Sequence, residues 1–317
     1  MIVLFPCKKE EQQEETMERT RRAGTIAAVF TILIWGTTFI STKILLQDFQ
    51  PVEILFFRFF LGILALYLVY PHRLVLKEKK QELVFAGAGI CGVTLYYLLE
   101  NIALTYTTAS NISVILSSAP LFTGIVIAVF CKEEKLHWNF WLGFVVAMAG
   151  IAVISFQGGQ EVQMNPLGDL LAILAAVVWA FYSYFVKIIG TYGYDTIPST
   201  RRIFVYGLIF MLPALYFSDF HLQLERFRNP VYLFQIAFLG LGASAACFVT
   251  WNFAVKALGA VKTSIYIYLV PVITILAAVP ILHEPFTFMT GLGTLLTLFG
   301  LVLSERKIKK EGEKVGK

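Results

Sequence analysis

Residues 24–43 read GTIAAVFTILIWGTTFISTK, and residues 168–187 read GDLLAILAAVVWAFYSYFVK. Each is a mostly apolar run opening on glycine (Gly24, Gly168), with a tryptophan (Trp35, Trp179) and a closing lysine (Lys43, Lys187) at the same places. An arginine follows at the same distance, Arg58 in the first case and Arg202 in the second, so all four pairs share an offset of 144 residues. A second set follows at 150–151: Asn101, Pro120, Glu134, Gly143 and Gly150 against Asn252, Pro271, Glu284, Gly293 and Gly300. A helix of about 20 residues spans the ~30 Å hydrocarbon layer of a bilayer. A chain whose bilayer-length segments are duplicated has the pattern of a secondary transporter.

Composition agrees with a chain that lives in lipid. Of the 317 residues, 57% are hydrophobic and only 15% charged, against about 25% charged in a soluble domain. Mean hydropathy is +0.72. The apolar residues come in long runs, not in the ~10-residue alternating segments of a membrane β-barrel. The net charge of +5 is no nucleic-acid signal, because the lysines and arginines sit in particular loops and at both ends. Cys7, Cys91, Cys131 and Cys247 have no CxxC spacing, and His72, His137, His221 and His283 are scattered. They suggest no disulfide framework, metal centre or cofactor. The N-terminal stretch is too polar for a signal peptide, and Met17 is an alternative start to Met1.

Ten apolar segments can be drawn, at 24–45, 51–70, 83–105, 109–130, 138–156, 168–189, 197–217, 231–254, 260–281 and 287–304. At this depth only a helix satisfies its own backbone. The fold class is therefore an all-α integral membrane protein of ten transmembrane helices. Basic residues set the orientation. Lys8, Lys9, Arg19, Arg21 and Arg22 precede the first helix. Arg73, Lys77, Lys79 and Lys80 follow the second, Lys132 and Lys135 the fourth, and a basic tail the tenth. The opposite loops carry only Arg226 and Arg228. Both termini are expected in the cytoplasm. Five helices per copy is an odd number, so the second copy is inverted. The expected organisation is a cytoplasmic segment 1–22, a repeat 23–157, a linker 158–167, an inverted repeat 168–304 and a tail 305–317.

Polar groups inside lipid are expensive and point to function. Glu100, in YYLLENIALTY (96–106), is the most pointed: a carboxylate at mid-membrane costs about 2.5–3.5 kcal/mol on insertion scales. It can bind a cationic or amino group or carry a coupling proton, or else be tied to a neighbouring helix. Arg58 and Arg202 read as gating residues or interfacial anchors whose stems snorkel, as do Lys43 and Lys187. Trp35 and Trp179 lie too deep for a lipid-belt role and point inward, with Thr38 and Tyr182 near them. Asn101 and Asn252 can bridge helices or bind cargo, and Tyr97 precedes the first of them. Pro120 and Pro271 fall centrally in the fourth and ninth segments, where a missing N–H kinks the helix. Matched discontinuities of this kind mark binding or hinge sites. Asn111 and Tyr266 lie on the same partly polar faces. Glu134 and Glu284 read as carboxylates at the N-termini of helices 5 and 10. The Gly143/Gly150 and Gly293/Gly300 pairs read as close-packing faces.

The segments WGTTFISTK and WAFYSYFVK, then NIALTYTTASNISVILSSAPLF echoed by NFAVKALGAVKTSIYIYLVPVI, each copy closing on a Glu and two glycines, form a doubled set in a fixed order. That set resembles the ten-helix EamA branch of the drug/metabolite transporter superfamily over about residues 20–305. The resemblance implies a secondary carrier of the bacterial inner membrane with a central cavity, more often exporting than importing amino acids, other metabolites or toxic compounds. It implies a cavity drawing on helices 1, 3, 4, 6, 8 and 9, hence on Trp35, Thr38, Glu100, Asn101, Trp179, Tyr182, Asn252 and Tyr266. Glu100 departs from it, that position being more often neutral. The expected function is export of amino acids or similar small metabolites by alternating access, with a proton as the candidate coupling ion, in a lipid bilayer, as monomer or homodimer. A carrier of phosphorylated sugars or nucleotide-sugars, with Arg58, Arg202 and Lys262 facing the cavity, is the alternative. A membrane-embedded lipid-modifying enzyme would need a cluster of Asp, His or Lys that the short loops lack.

Overall fold

The computed structural model describes residues 8–131, 138–155, 166–218, 220 and 223–305. Cys7, Lys132, Glu134, Lys135, His137, His221, most of the 158–167 linker, the tail beyond 305 and the question of Met1 against Met17 lie outside the described residues. Among the described residues every regular element is a helix, with no strand. The segments are α1 (Lys8–Leu45), α2 (Pro51–Val69), α3 (Gln81–Tyr106), α4 (Ala109–Cys131), α5 (Trp138–Ser155), α6 (Pro166–Thr191), α7 (Thr196–Phe217), α8 (Pro230–Leu258), α9 (Ala260–Leu282) and α10 (Phe288–Glu305). Eight are long and apolar enough to cross a membrane; α5 and α10 are shorter apolar helices. The protein is an all-α membrane protein.

The segment ends follow local chemistry. Pro51 opens α2, and the Glu53 carboxylate accepts from Gln50 N at 2.8 Å, occupying an N–H that the first turn leaves unpaired. Thr108 caps α4 by accepting from Asn111 N at 3.1 Å. The aligned place between α8 and α9 is Gly259, whose φ of +91° is readily reached only without a side chain. The one clear boundary difference is at the front: α1 begins at Lys8, well before the apolar run. Its polar first turns are rich in good helix formers, and Arg22 pairs with Glu18 one turn back.

Contacts between the two halves obey an exchange rule. If α1 is swapped with α6, α2 with α7, α3 with α8, α4 with α9 and α5 with α10, every major interface maps onto another. The α1–α8 packing matches α6–α3, α1–α9 matches α6–α4, and α2–α8 matches α7–α3. The α2–α7 and α5–α10 pairs map onto themselves. This is the packing expected of two inverted five-helix repeats whose shared core lies between them. Glycines close the α5–α10 pair: a Cβ on Gly143 would stand 2.4 Å from Gly300 O, and one on Gly150 would stand 2.7 Å from Gly293 O. The four glycines thus join the halves to each other.

Both repeats share two irregularities. Residues Ile90–Leu95 of α3 and Phe238–Ala246 of α8 form wide π-helical turns, which rotate everything after them relative to a regular helix. α4 breaks at Ser117 and Ser118, just before Ala119–Pro120. α9 tightens into a 3₁₀ turn at Ile265–Leu269, just before Val270–Pro271. The prolines therefore start the second piece of each broken helix.

Candidate functional site

The two breaks face each other across a central cavity. Leu116 and Ala119 flank the α4 break, and their repeat partners Ile267 and Val270 occupy the same places in α9; all four line the cavity. Trp35 from α1 and Trp179 from α6 add a second matched pair, their rings 5.3 Å apart and nearly perpendicular. Such edge-to-face contacts fix ring orientation as well as burying area. The remaining walls are unmatched. Thr38 and Phe39 come from α1, and Tyr96, Tyr97 and Glu100 come from α3. α8 contributes no lining residue.

The wide turn in α3 ends at Leu95, so it sets the phase of Tyr96, Tyr97 and Glu100, which then share one face at i, i+1 and i+4. Glu100 is 2% exposed. The Tyr96 hydroxyl lies beside its carboxylate and Arg58 acts on it through space, and no salt bridge reaches it among the described residues. Tyr96 also packs on Trp179 at 4.7 Å. Behind Tyr97 stands Arg58, fully buried, its guanidinium 4.1 Å from the ring centroid and its Nε donating to Ser244 Oγ at 3.0 Å. Its Nη1 and Nη2 have no hydrogen-bond partner among the described residues, and neither do the indole nitrogens of Trp179 and Trp251. Trp35, by contrast, donates to Ala243 O at 3.0 Å. One carboxylate and several unused N–H donors are thus held among aromatic rings. A cavity of about 40 Å³ holds only a few waters, so a solute needs the helices to part.

Of the residues singled out from the sequence, Trp35, Thr38, Tyr97, Glu100 and Trp179 line the cavity. Others hold helices together. Tyr182 donates to Asn252 Oδ1 at 2.7 Å, and Asn252 Nδ2 donates to Thr200 Oγ1 at 3.0 Å, joining α6, α8 and α7. Asn101 Nδ2 donates to Pro51 O at 3.2 Å. Asn111 Nδ2 donates to Thr107 Oγ1 and to Asp169 Oδ1 at 2.7 Å, joining α4 to α6. Tyr266 packs against the core beside Ile267 without lining the cavity. Arg202 makes a two-pronged pair with Glu82 of α3 and donates to Leu74 O. Phe39, Tyr96, Leu116, Ala119, Ile267 and Val270 were not singled out; Phe39 follows Thr38 directly, Tyr96 was readable as one turn before Glu100, and the other four lie around the prolines.

The end of the bundle at the α3–α4 connection is closed by polar contacts. Lys43 Nζ, expected to snorkel, donates instead to Leu104 O at 2.6 Å and Thr107 O at 2.7 Å. Glu284, expected to serve α10, accepts from Ala109 N, Ser110 N and Ser110 Oγ at 2.5–3.0 Å. It therefore serves the first turn of α4, whose unpaired N–H groups favour a carboxylate. The link between α9 and α10 is short enough to bring it there.

The model of the EamA-like transporter family matches the chain twice, over residues 22–156 and 166–305. An uncharacterised transporter from Archaeoglobus fulgidus is 28% identical over 284 residues, covering 87% of this chain and 95% of that one. A probable terminal-alkyne amino-acid exporter from Streptantibioticus cattleyicolor is 26% identical, covering 89% and 93%. A protein of known crystal structure shares the fold at 19% identity, with a TM-score of 0.61 over 90% of this chain and 96% of that one. Two family matches that fall on either side of the cavity, each holding one broken helix and one inward tryptophan, identify this multi-pass membrane protein as a transporter, not an enzyme, belonging to the EamA-like transporter family.

Proposed function

We propose that the protein exports small amphipathic solutes bearing an amino group, amino acids among them, across the bacterial inner membrane. The observation that carries this reading is Glu100: a buried carboxylate in an aromatic-walled cavity, beside the Tyr96 hydroxyl and free of any salt bridge among the described residues. Aromatic faces attract an ammonium group, and Glu100 supplies the counter-charge. The N–H of Trp179 is available to an acceptor elsewhere on the solute. The S. cattleyicolor relative, a probable amino-acid exporter, supports the same solute class.

In this reading both termini are cytoplasmic, as the basic loops require. The contacts of Lys43, Glu284 and Asn111 then close the outer side. Rocking of the inverted halves about the glycine-lined α5–α10 pair opens the cavity to each side in turn. One chain encloses the whole cavity, so a monomer suffices. A proton gradient drives export, with Glu100 exchanging a proton for cargo. A phosphorylated solute fits less well, because none of Arg58, Arg202 and Lys262 lines the cavity. The test is counterflow in proteoliposomes with labelled amino acids and with their N-acetyl derivatives. Uptake of the amines and not of the acetylated compounds is expected, together with loss of pH dependence in Glu100→Gln. Equal transport of both sets, or an unchanged pH profile in the variant, overturns the reading.

A further inference from the structure

A second, larger cavity lies on the flank of the bundle, at the end that holds the α2–α3 connection. It has a volume of about 360 Å³, and three arginines line it: exposed Arg73 from the connection, and buried Arg201 and partly buried Arg202 from the first turns of α7. Their charges are not equally spent. Arg202 is matched by Glu82. Arg201 donates to the carbonyls of Tyr70 and His72 and stacks at 4.0 Å on Tyr67, so no carboxylate neutralises it through a salt bridge among the described residues. Arg73 is exposed and has no hydrogen bond or salt bridge among the described residues. Lys77, Lys79 and Lys80 follow on the same connection. The cavity thus carries uncompensated positive charge.

Its other end is apolar. Along α7 the lining continues through Val205 to Ile209, and Tyr67 of α2 forms the opposite wall. Ile209 is 49% exposed and Tyr67 44%, as lipid-facing side chains are. From Arg201 to Ile209 the helix advances two turns, about 12 Å into the hydrocarbon layer. A cavity with fixed guanidinium groups at the membrane surface and an apolar lane descending from them has the polarity of one lipid molecule. Arginine forks match phosphate oxygens, and basic cavities between helices at this depth hold anionic headgroups.

We propose that this cavity is a binding site for an anionic phospholipid, whose phosphate sits among Arg73, Arg201 and Arg202 and whose acyl chain lies along Val205 and Ile209. The site is independent of the central cavity and of the cargo. It bridges α2 of one repeat and α7 of the other, so its occupant holds the two halves together at this end.

The full-length protein, purified in a neutral detergent, tests this by native mass spectrometry with added phosphatidylglycerol or with phosphatidylcholine of the same chain length. Phosphatidylglycerol is expected to be retained at least about fivefold better, and Arg73→Gln to remove about that factor. Arg73 is exposed and holds no other contact, so the variant leaves the fold intact. Val205→Trp, which fills the lane, is expected to weaken retention of phosphatidylglycerol. Inorganic phosphate at millimolar concentration is expected neither to displace the lipid nor to raise the melting temperature. Equal retention of the two lipids, retention unchanged in Arg73→Gln, or phosphate that stabilises the protein as well as the lipid does would each overturn the proposal.

Discussion

α3 and α8 occupy equivalent places in the two repeats and share a wide turn, an asparagine and a face toward the cavity, yet only α3 lines it. Glu100 of α3 aligns with Trp251 of α8, which is 1% exposed and packs 5.0 Å from Trp35. The same inequality reaches their neighbours. By alignment Thr38 of α1 and Ala243 of α8 hold the places of Tyr182 and Gly92; in the second pair α6 sets the much larger Tyr182 against Gly92 of α3, where a Cβ would stand 2.1 Å from the ring. The repeat gives both halves the same helix packing. The cavity acquires its polarity because one half spends this position on packing and the other on a carboxylate.

Removing that carboxylate is the largest way to break the comparison. Glu100→Gln keeps shape and loses charge, so transport of an amine should fall about 10- to 100-fold, the worth of one charged hydrogen bond. Trp251→Phe, the aligned change, should leave the rate within about threefold, because truncating a packed ring costs shape and not charge. Initial rates in proteoliposomes compare the two; equal losses would mean that α3 has no special role in binding.

Next in size is the volume exchange. Gly92→Ala puts a methyl group into the Tyr182 ring and pulls that phenol from Asn252. It should cost about 1–3 kcal/mol, read as a lower melting temperature in detergent. Gly92→Ala combined with Tyr182→Thr, which copies the Ala243–Thr38 arrangement of the other half, should recover part of the loss. No recovery would show that the glycine serves the wide turn itself.

The same contrasts explain what could be read from the chain. The ten segments were legible, because a bilayer demands long apolar runs whatever packs against them, and the boundaries fell within a few residues except at the polar start of α1. The family was legible because the fingerprint occurs twice. Glu100 was legible as a costly residue at depth, and Trp35 and Trp179 as rings too deep for the lipid belt. Which way the other polar residues face was not. A helix apolar all round gives no amphipathic signal, and the wide turns at Ile90–Leu95 and Phe238–Ala246 shift the phase of everything after them. Asn101 and Asn252 come after those turns, so spacing from the helix start misplaces them. The long reach of Lys43 and Glu284 to other segments depends on tertiary contacts that no local pattern carries.

The two asparagines give a smaller test. Asn252 joins three helices through two hydrogen bonds, whereas Asn101 makes one and leaves its Oδ1 without a partner among the described residues. At roughly 1 kcal/mol per bond, Asn252→Leu should destabilise by about 2 kcal/mol and Asn101→Leu by less than about 1 kcal/mol. Thermal unfolding in detergent orders them. The reverse order would mean that Asn101 holds a bound water or cargo atom more firmly than its single hydrogen bond implies.

The arginines should differ least in stability, and their difference has the opposite sign to intuition. Arg58 is the more deeply buried, but it makes no salt bridge among the described residues: its Nε meets a hydroxyl, its guanidinium lies over a ring, and Glu100 acts on it only through space. Replacing a buried, incompletely paired charge by an apolar side chain of similar length is often neutral or stabilising, so Arg58→Met should change stability by about zero or raise it. Arg202 is partly exposed, yet its loss strands Glu82, which it grips with two nitrogens and which also accepts from Tyr206. Arg202→Met should therefore cost about 1 kcal/mol, the upper end for an exposed pair. The aligned place in α8 holds Tyr232 or Leu233 and no acid, which is why only one arginine of the pair is tied. Melting curves of the two variants at low and high salt decide: Arg202→Met should lose part of its deficit in high salt through screening, and Arg58→Met should not respond. A large deficit in Arg58→Met would instead make the guanidinium over Tyr97 the feature that holds the Glu100 wall in place.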